Sequence, residues 1–436
     1  YPAGHFHAYN LAAQQKDVDA ILHLGDFIYE YGRDGYASEH AKELDREVLP
    51  EHELFTLQDY RTRYAQYRTD INLQKLTHSA PLIAVWDDHE ISNDAFKNGA
   101  ENHQQGEGSY FKRKTAAMRA YFEWMPIRQS TTEKNKIIYR SFKFGELLDL
   151  HMLDTRNIGR DQQMSYANYI DPETDLFDTK SFSSDLAASD RKMLGSRQLR
   201  SLQNNLETST SKWQVLGQQV LMGRMNLPAA IVTQRTTIEE YKNLAKLARI
   251  DKRLTKGDKR LAESEKKYFE SYKHRLSPEV EALLGLPDIP YNLDAWDGYS
   301  QEREEILMTA KRLNKNLVVL AGDTHNAWCN NLRDIAGDFV GVEFAAPSVS
   351  SPGLEHYLDL SKEDIAPTEA NIVELINDLQ YFNAADRGFM TLLFTHDTIK
   401  ATWHFVDTVK NDTYKEKKHR RNIIEYRDDE HGASIL

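Results

Sequence analysis

The 436-residue sequence contains a single cysteine, Cys329, which excludes an internal disulfide and a cysteine-rich zinc site. No apolar run reaches the length of a membrane-spanning helix, and no secretory signal segment is visible. The sequence also lacks the G-x-S-x-G turn of serine hydrolases and the phosphate-binding loop of nucleotide-binding proteins. These absences leave oxygen and nitrogen side chains as the groups that would carry any chemistry.

Positive charge is scarce relative to negative charge. The chain has 55 lysines and arginines against 67 aspartates and glutamates, which gives a formal net charge of -12. Nucleic acids and anionic membrane surfaces are therefore poor default partners, and no nucleic-acid-binding surface is evident. A phosphate ester stays compatible with this composition because a bound metal ion reverses the local field.

The chain has neither a repeat of solenoid period nor a Pro/Gly-rich linker, so one domain is predicted over residues 1–436. Short apolar runs alternate with stretches of helical period, which is typical of the α/β class. Strands are predicted at 20–24, 81–86, 147–156, 212–223, 316–321, 390–395 and 401–406. Helices are predicted at 8–16, 57–67, 109–124 and 199–206.

Three regions do not follow this alternation. Residues 157–190 are rich in Asp, Ser and Asn, which predicts a long loop. Residues 235–274 are dense in Lys and Glu with apolar residues at helical spacing, which predicts a solvated helical pair inserted into the domain. Residues 410–436 form a charged C-terminal segment, interpreted as a surface helix or a frayed tail.

Three of the predicted strands end in the same kind of polar motif. The stretches are HLGDFIY at 23–29, VWDDHEISND at 85–94 and VLAGDTHNAW at 319–328. Open α/β sheets build ligand sites at the carboxyl ends of their strands. The side chains delivered there are Asp26, Tyr29, Asp88, His89, Asn93, Asp323 and His325. This mixed set of oxygen and nitrogen atoms suits hard or borderline metal ions.

Each motif taken alone has a structural alternative. Tyr29 taken alone is more readily interpreted as an ordinary partly buried aromatic residue. Asp88 or Ser92 could equally cap the start of a helix. Asp323 and His325 share one side if the extended conformation persists, or else form a polar strand end. Because three such motifs coincide, a metal site is favoured, with two cations that activate water for an in-line displacement. A histidine beside them would stabilise charge or protonate the leaving oxygen.

Taken together, the motifs resemble the PhoD family of alkaline phosphatases, a branch of the binuclear metallophosphatases. The resemblance extends through YPAGHFHAY (1–9), HLGDFIYEYG (23–32), WDDHEISND (86–94), LDTR (153–156), RKMLGSRQ (191–198), WDGY (296–299), AGDTH (321–325) and APSVSSPG (346–353). It implies a four-layer α-β-β-α sandwich with two mixed β-sheets. It also implies hydrolysis of a small phosphomonoester or phosphodiester by a monomeric protein exported to the periplasm or the extracellular space.

The resemblance also implies roles for individual residues. The implied cofactors are Fe³⁺ and Ca²⁺, with other divalent ions as alternatives. Asp26 would bridge the metals, Tyr29 and His325 would bind iron, and Asp88, Asn93 and Asp323 would serve calcium. His89 would face the phosphate and act in catalysis together with Asp88. Arg156 would contact phosphate, or instead pair with Asp154 or another acid.

One departure from the family pattern generates further expectations. The family usually has a strand ending in a cysteine iron ligand before the segment that matches Tyr1, and this sequence begins after it. The expected result is a sandwich lacking its first strand, with an open gap beside Asp26 and weaker iron retention. Cys329 is not the counterpart of that cysteine by position. The missing strand leaves a non-catalytic phosphate- or metal-binding remnant open as one alternative function. A separate alternative is an intact phospholipase D-like phosphodiesterase.

Overall fold

The computed structural model describes residues 1–128, 137–174, 177–188, 190–427 and 432–435. Its helices are α1 (His7–Ala12), α2 (Leu57–Tyr67), α3 (Ile71–Ser79), α4 (Tyr110–Trp124), α5 (Thr179–Leu186), α6 (Gly195–Thr208), α7 (Ala229–Val232), α8 (Ile238–Thr255), α9 (Glu263–Tyr272), α10 (Pro278–Leu284), α11 (Ser300–Arg312), α12 (Leu354–Tyr357) and α13 (Lys362–Leu375). Its strands are β1 (Ile21–His23), β2 (Leu82–Ala84), β3 (Arg140–Phe144), β4 (Leu148–Met152), β5 (Trp213–Gly217), β6 (Asn226–Pro228), β7 (Asp288–Pro290), β8 (Asn316–Ala321), β9 (Ala327–Arg333), β10 (Phe339–Ala345), β11 (Leu379–Asn383), β12 (Arg387–Phe394), β13 (Thr398–Val406), β14 (Asn422–Arg427) and β15 (Ser434–Ile435).

A large mixed sheet forms the centre of the fold. Within the described ranges its strand order is β11-β9-β10-β8-β5-β4-β3. The four central strands β4, β5, β8 and β10 pair in parallel, whereas β3 and β9 are antiparallel to their neighbours. The expected α/β class is therefore confirmed, with a mixed sheet at its core.

Both faces of the large sheet are covered, as its continuous apolar strands require. Successive side chains of a strand point to opposite faces. In β8, Leu317 and Val319 join a buried cluster with residues of α6 and α11. Val318 and Leu320 join the other cluster, which holds residues of β13 and the tyrosine-rich helices α2 and α4.

A smaller antiparallel sheet, ordered β12-β13-β14-β15, packs against that second face. Two tryptophans connect the large sheet to the small sheet, because each donates its indole N–H to a backbone carbonyl across the interface. Trp403 donates to the carbonyl of Ala345 at 2.9 Å, and Trp213 donates to the carbonyl of Thr395 at 2.7 Å. The antiparallel pairing expected for residues 390–406 is present, with β12 at the edge.

Strands β1 and β2 form a separate parallel pair, with His23 opposite Ala84. Because they run in the same direction, the first two polar motifs leave the pair at the same end. This register places the HLGDFIY and VWDDHEISND stretches side by side.

Two expectations about irregular regions are wrong. The predicted loop at 157–190 contains α5, which Asp178 caps by accepting from the Ser181 backbone N–H at 3.1 Å, and whose buried side chain is Phe182. Phe182 and the partly buried Leu186 are the only apolar residues of this short helix, and two positions are too few to show a helical period. In its described parts, 410–427 and 432–435, the C-terminal segment contains β14 and β15 rather than a surface helix or a frayed tail. Ile424 and Tyr426 of β14 are buried. The charged Glu425 and Arg427 alternate with them, and they make the segment as a whole too polar to be predicted as a strand from its composition.

The charged range 235–274 contains the helices α8 and α9, as the helical spacing predicted. These helices enclose a small apolar cluster of their own around Leu247, Ile250 and Phe269. Lys242 of α8 donates to Asn371 of α13 at 2.6 Å, which fixes the insertion to the domain. Among the described helices, none combines the length and apolar character needed to cross a bilayer.

Candidate metal centre

The first two motif loops touch each other directly after their strands. Gly25 has φ +122°, and a Cβ added there would lie 2.4 Å from the Cβ of Asp87. Only glycine satisfies both the backbone conformation and the close approach. Glu90 then joins the loops, because its buried carboxylate accepts backbone N–H groups of Phe27 at 2.6 Å and of Asp87 at 2.7 Å.

Several residues of the centre have a left-handed backbone. Asp26, Asp94, Asp323 and His325 have φ between 53° and 64°. Such conformations are uncommon outside glycine and concentrate at functional sites. The extended conformation of the third motif ends at Ala321. The expectation that strand alternation presents Asp323 and His325 is therefore wrong, and a tight turn places them.

The three motifs nevertheless meet around one cavity of about 190 Å³. Asp26 comes from the first motif, and Asp323 and His325 come from the third. The second motif contributes Asp88, His89 and Asn93. The alternative of a helix that begins at Asp88 does not apply, because residues 88–95 form turns.

Tyr29, Asp26 and His325 form a compact triangle of ligand-type atoms. The Tyr29 hydroxyl lies 2.8 Å from Asp26 Oδ2 and 2.8 Å from His325 Nε2. His325 Nδ1 lies 2.8 Å from the carbonyl oxygen of Pro352, so Nδ1 carries the proton and Nε2 presents its lone pair. A backbone acceptor on one imidazole nitrogen is the usual arrangement for a histidine whose other nitrogen binds metal.

The second motif adds two further groupings of acidic and imidazole atoms. Asp26, Asp88 and His89 each offer an atom within 4.8 Å of the others, and so do Asp87, Asp88 and Asp323. Asp26 thus belongs both to the triangle with Tyr29 and to the grouping with Asp88. A carboxylate that belongs to two adjacent groupings has the oxygen atoms that a bridge between two cations would need.

The electrostatics of the centre require positive charge. Burial raises the pKa of Asp87 and of Asp323 well above the usual value, and neighbouring carboxylates add to the effect. Burial, followed by Asp26, raises the pKa of Glu90 to about 8. Within the described residues, the buried Oδ1 of Asp26 and Oδ2 of Asp87 have no hydrogen-bond donor. Orphaned carboxylate oxygens among like charges fit a bound metal ion.

His89 is held by a buried carboxylate that the motif analysis did not identify. Glu30 Oε2 lies 2.7 Å from His89 Nδ1, so Nδ1 donates to this carboxylate and Nε2 is the nitrogen available to another partner. Glu30 Oε1 accepts the backbone N–H of Asn93 at 2.7 Å and the amide of Asn102 at 2.8 Å. The His89 ring also stacks on Tyr29 with 4.1 Å between centroids. The only sequence signal for Glu30 was its position four residues after Asp26.

Burial opposes a positive charge on His89, yet three neighbouring carboxylates raise the pKa of His89 well above its usual value. In order of effect they are Asp88, Glu30 and Asp26. In the geometry that the structure has, these carboxylates favour the protonated form of the imidazole.

Arg156 is completely buried beneath the acids rather than on the cavity wall. Its guanidinium pairs with Asp87, donates to Asp294 at 2.8 Å and donates to Asp323 at 2.7 Å. The ion pair is thus with acids other than Asp154, whose carboxylate instead accepts the Arg156 backbone N–H. The role of Arg156 as a phosphate contact stays a prediction. Asp294 gave no signal in the sequence, because it lies outside the three motifs.

Similarity to known proteins extends over most of the chain. The PhoD-like phosphatase family model matches residues 1–403. Alkaline phosphatase D of Bacillus subtilis (strain 168) is 31% identical over 417 residues, which is 94% of this chain and 58% of that protein. The chain therefore spans less than two thirds of the length of this relative. A solved structure titled "Structure of PhoD" is similar with a TM-score of 0.70 and 27% identity, over 100% of this chain and 69% of that one. The chain belongs to the PhoD-like phosphatase family.

Proposed function

We propose that this chain hydrolyses phosphate esters at a two-metal centre built by the three motifs. The observation that carries the proposal is the position of Asp26, with Oδ2 bonded to Tyr29 beside His325 and Oδ1 buried without a donor. Bound cations at such a centre supply an activated water and neutralise charge on the phosphate. The Fe³⁺ ion would be bound by Asp26, Tyr29 and His325. The Ca²⁺ ion would be bound by Asp88, Asn93 and Asp323.

The chain's own residues perform the remaining steps of the proposed reaction. His89 faces the cavity, where its imidazole would bind a phosphoryl oxygen and give a proton to the leaving oxygen. Asp88 would act beside His89 and fixes its backbone, since Asp88 Oδ1 accepts the His89 backbone N–H at 2.9 Å. Asn93 donates through its amide nitrogen to Glu101 at 3.1 Å, which leaves its carbonyl oxygen for a cation. Arg156 holds Asp323 in place from below.

The proposal also covers the layer arrangement of the fold, the location of the protein and its oligomeric state. The packing of helices on one face of the large sheet and of the small sheet on the other supports a four-layer sandwich. A first strand absent from that sandwich, export from the cytoplasm and a monomeric state stay predictions.

The function is tested by loading the purified chain with Fe³⁺ and Ca²⁺, and separately with other divalent ions. Bound metal and the turnover of p-nitrophenyl phosphate and bis(p-nitrophenyl) phosphate are then measured. We expect stoichiometric metal and turnover that a chelator removes. Metal binding without turnover would favour the non-catalytic remnant. A rate on the diester that greatly exceeds the monoester rate would favour a phosphodiesterase, including one that acts on phospholipids.

Tyr29→Phe is expected to remove the visible charge-transfer band of the iron-loaded protein, because that transition needs a phenolate bound to Fe³⁺. The ring and its stacking on His89 stay in place, so the fold is retained. The measurement is the visible spectrum of both proteins at equal iron content. Tyr36→Phe is the matched control, since the Tyr36 hydroxyl contacts the other nitrogen of His325 at 3.3 Å. A band that survives Tyr29→Phe would assign Tyr29 to packing.

Glu30→Gln is expected to lower kcat by about 10- to 100-fold with a smaller change in KM. The amide removes the negative charge that fixes the His89 tautomer, whereas substrate binding at the cations is unaffected. Steady-state kinetics with p-nitrophenyl phosphate provide the measurement. Glu43→Gln serves as control, because Glu43 lies on the surface and its partner is the exposed His40. A kcat within about twofold of the parent protein would contradict this role.

A further inference from the structure

Two chemically different sets of residues line the cavity. The floor is the set of acidic and imidazole groups from the three motifs, and the lip is the set of Tyr291, Leu354 and Tyr357. None of the proposed steps at the metal centre uses these three side chains. Tyr357 is 61% exposed at the mouth, and the adjacent Leu358 is 44% exposed. An apolar lip beside a reaction centre is a place where part of a substrate is covered.

The lip is fixed relative to the floor. The backbone N–H of Leu354, at the start of α12, donates to Asn326 Oδ1 at 3.2 Å, and Asn326 directly follows His325. Asn326 also donates to the carbonyl of Ala384 at 2.6 Å, so its own orientation is set. A rigid apolar wall loses little conformational entropy when a ligand contacts it.

Tyr357 is connected to the floor through a second tyrosine. Its hydroxyl lies 3.1 Å from the Tyr36 hydroxyl, which in turn lies 3.3 Å from His325 Nδ1. The Tyr36 ring stacks on Tyr29 with 5.6 Å between centroids. The hydroxyl of Tyr357 is thereby oriented, while most of the ring stays exposed for contact with a ligand.

The charges around the cavity restrict which substrates fit. Among the described residues that line it, there is no lysine or arginine, whereas Asp94 adds a further acid. A leaving group with additional phosphates or carboxylates would find no counter-charge there. A neutral leaving group with a flat apolar face would instead cover the exposed ring of Tyr357 and contact the edge of Leu354, which is largely buried already.

We propose that Tyr357 and Leu354 form a leaving-group subsite that selects phosphate esters of neutral aromatic alcohols. The proposal rests on the proposed function, because it assumes that the phosphoryl group sits on the floor of the same cavity. The ring of the ester then lies against Tyr357, and its linking oxygen points towards His89.

The test compares 1-naphthyl phosphate with glycerol phosphate on the metal-loaded protein. We expect Tyr357→Ala to raise KM for the naphthyl ester by about five- to tenfold, the size of one lost aromatic contact. KM for glycerol phosphate and both kcat values should stay within about twofold, because the floor is unchanged. Tyr357→Phe keeps the ring and should resemble the parent protein. Tyr272→Ala, at another exposed tyrosine on α9, is the control for a general surface effect.

An equal change in KM for both esters, or no change for either, would overturn the subsite. If the parent protein turns over neither ester, the proposed hydrolysis fails, and naphthyl fluorescence then measures binding of 1-naphthyl phosphate directly. Binding that is weakened by Tyr357→Ala and retained by Tyr357→Phe would keep the subsite, and binding that both variants leave unchanged would remove it.

Discussion

Asp26→Asn is expected to lower phosphoesterase kcat by about 10³-fold, because a neutral amide cannot bridge two cations and several kcal/mol of charge stabilisation is lost. Asparagine accepts the left-handed backbone of this position, where φ is 56°. Folding is therefore retained, and the loss falls on the metal centre. Metal content and kcat with p-nitrophenyl phosphate are the measurements.

Asp26→Asn is also expected to change thermal stability, and the direction depends on whether metal is bound. Without metal, removal of one charge from the acidic cluster should leave the thermal midpoint unchanged or raise it. With metal, the parent protein gains stability by mass action and Asp26→Asn gains much less. Asp17→Asn is a matched control, because Asp17 is an exposed aspartate with φ 57°. A variant that keeps its metal and a rate within about tenfold of the parent would remove Asp26 from the centre.

Arg156→Met is expected to destabilise the metal-free protein by about 3–5 kcal/mol, because the buried carboxylate of Asp87 and the partly buried carboxylates of Asp294 and Asp323 lose their shared cation. Methionine keeps much of the side-chain volume but none of the donors to Asp87, Asp294 and Asp323. The free energy of unfolding, from denaturant titration in the presence of a chelator, is the measurement.

A surface ion pair provides the comparison for Arg156. Lys266→Met breaks an exposed pair with Glu263 and should cost less than about 1 kcal/mol. If Arg156 instead contacts the phosphate of the substrate, its replacement would raise KM and leave the free energy of unfolding unchanged. That outcome would overturn the stabilising role that the buried guanidinium predicts.

The local elements of this fold were predictable because they depend on near neighbours. The helical period of 57–67 and the apolar run of 316–321 gave the bounds of α2 and β8 without error. The parallel pair β1 and β2 explains why strand-end motifs distant in sequence share a cavity. Where apolar residues were few, as in α5, or masked by charge, as in β14, periodicity carried too little information.

By itself, the sequence determined the α/β class and the three strand-end motifs, because both arise from apolar period and residue type. Only the tertiary structure decided the partners of those motifs. Glu30 reaches His89, Arg156 lies among acids from three other segments, and Tyr357 stands at the mouth of the cavity. Each of these contacts joins residues that are separated by tens to hundreds of positions. They depend on how loops close against one another, and a one-dimensional pattern of polar and apolar residues does not encode that closure.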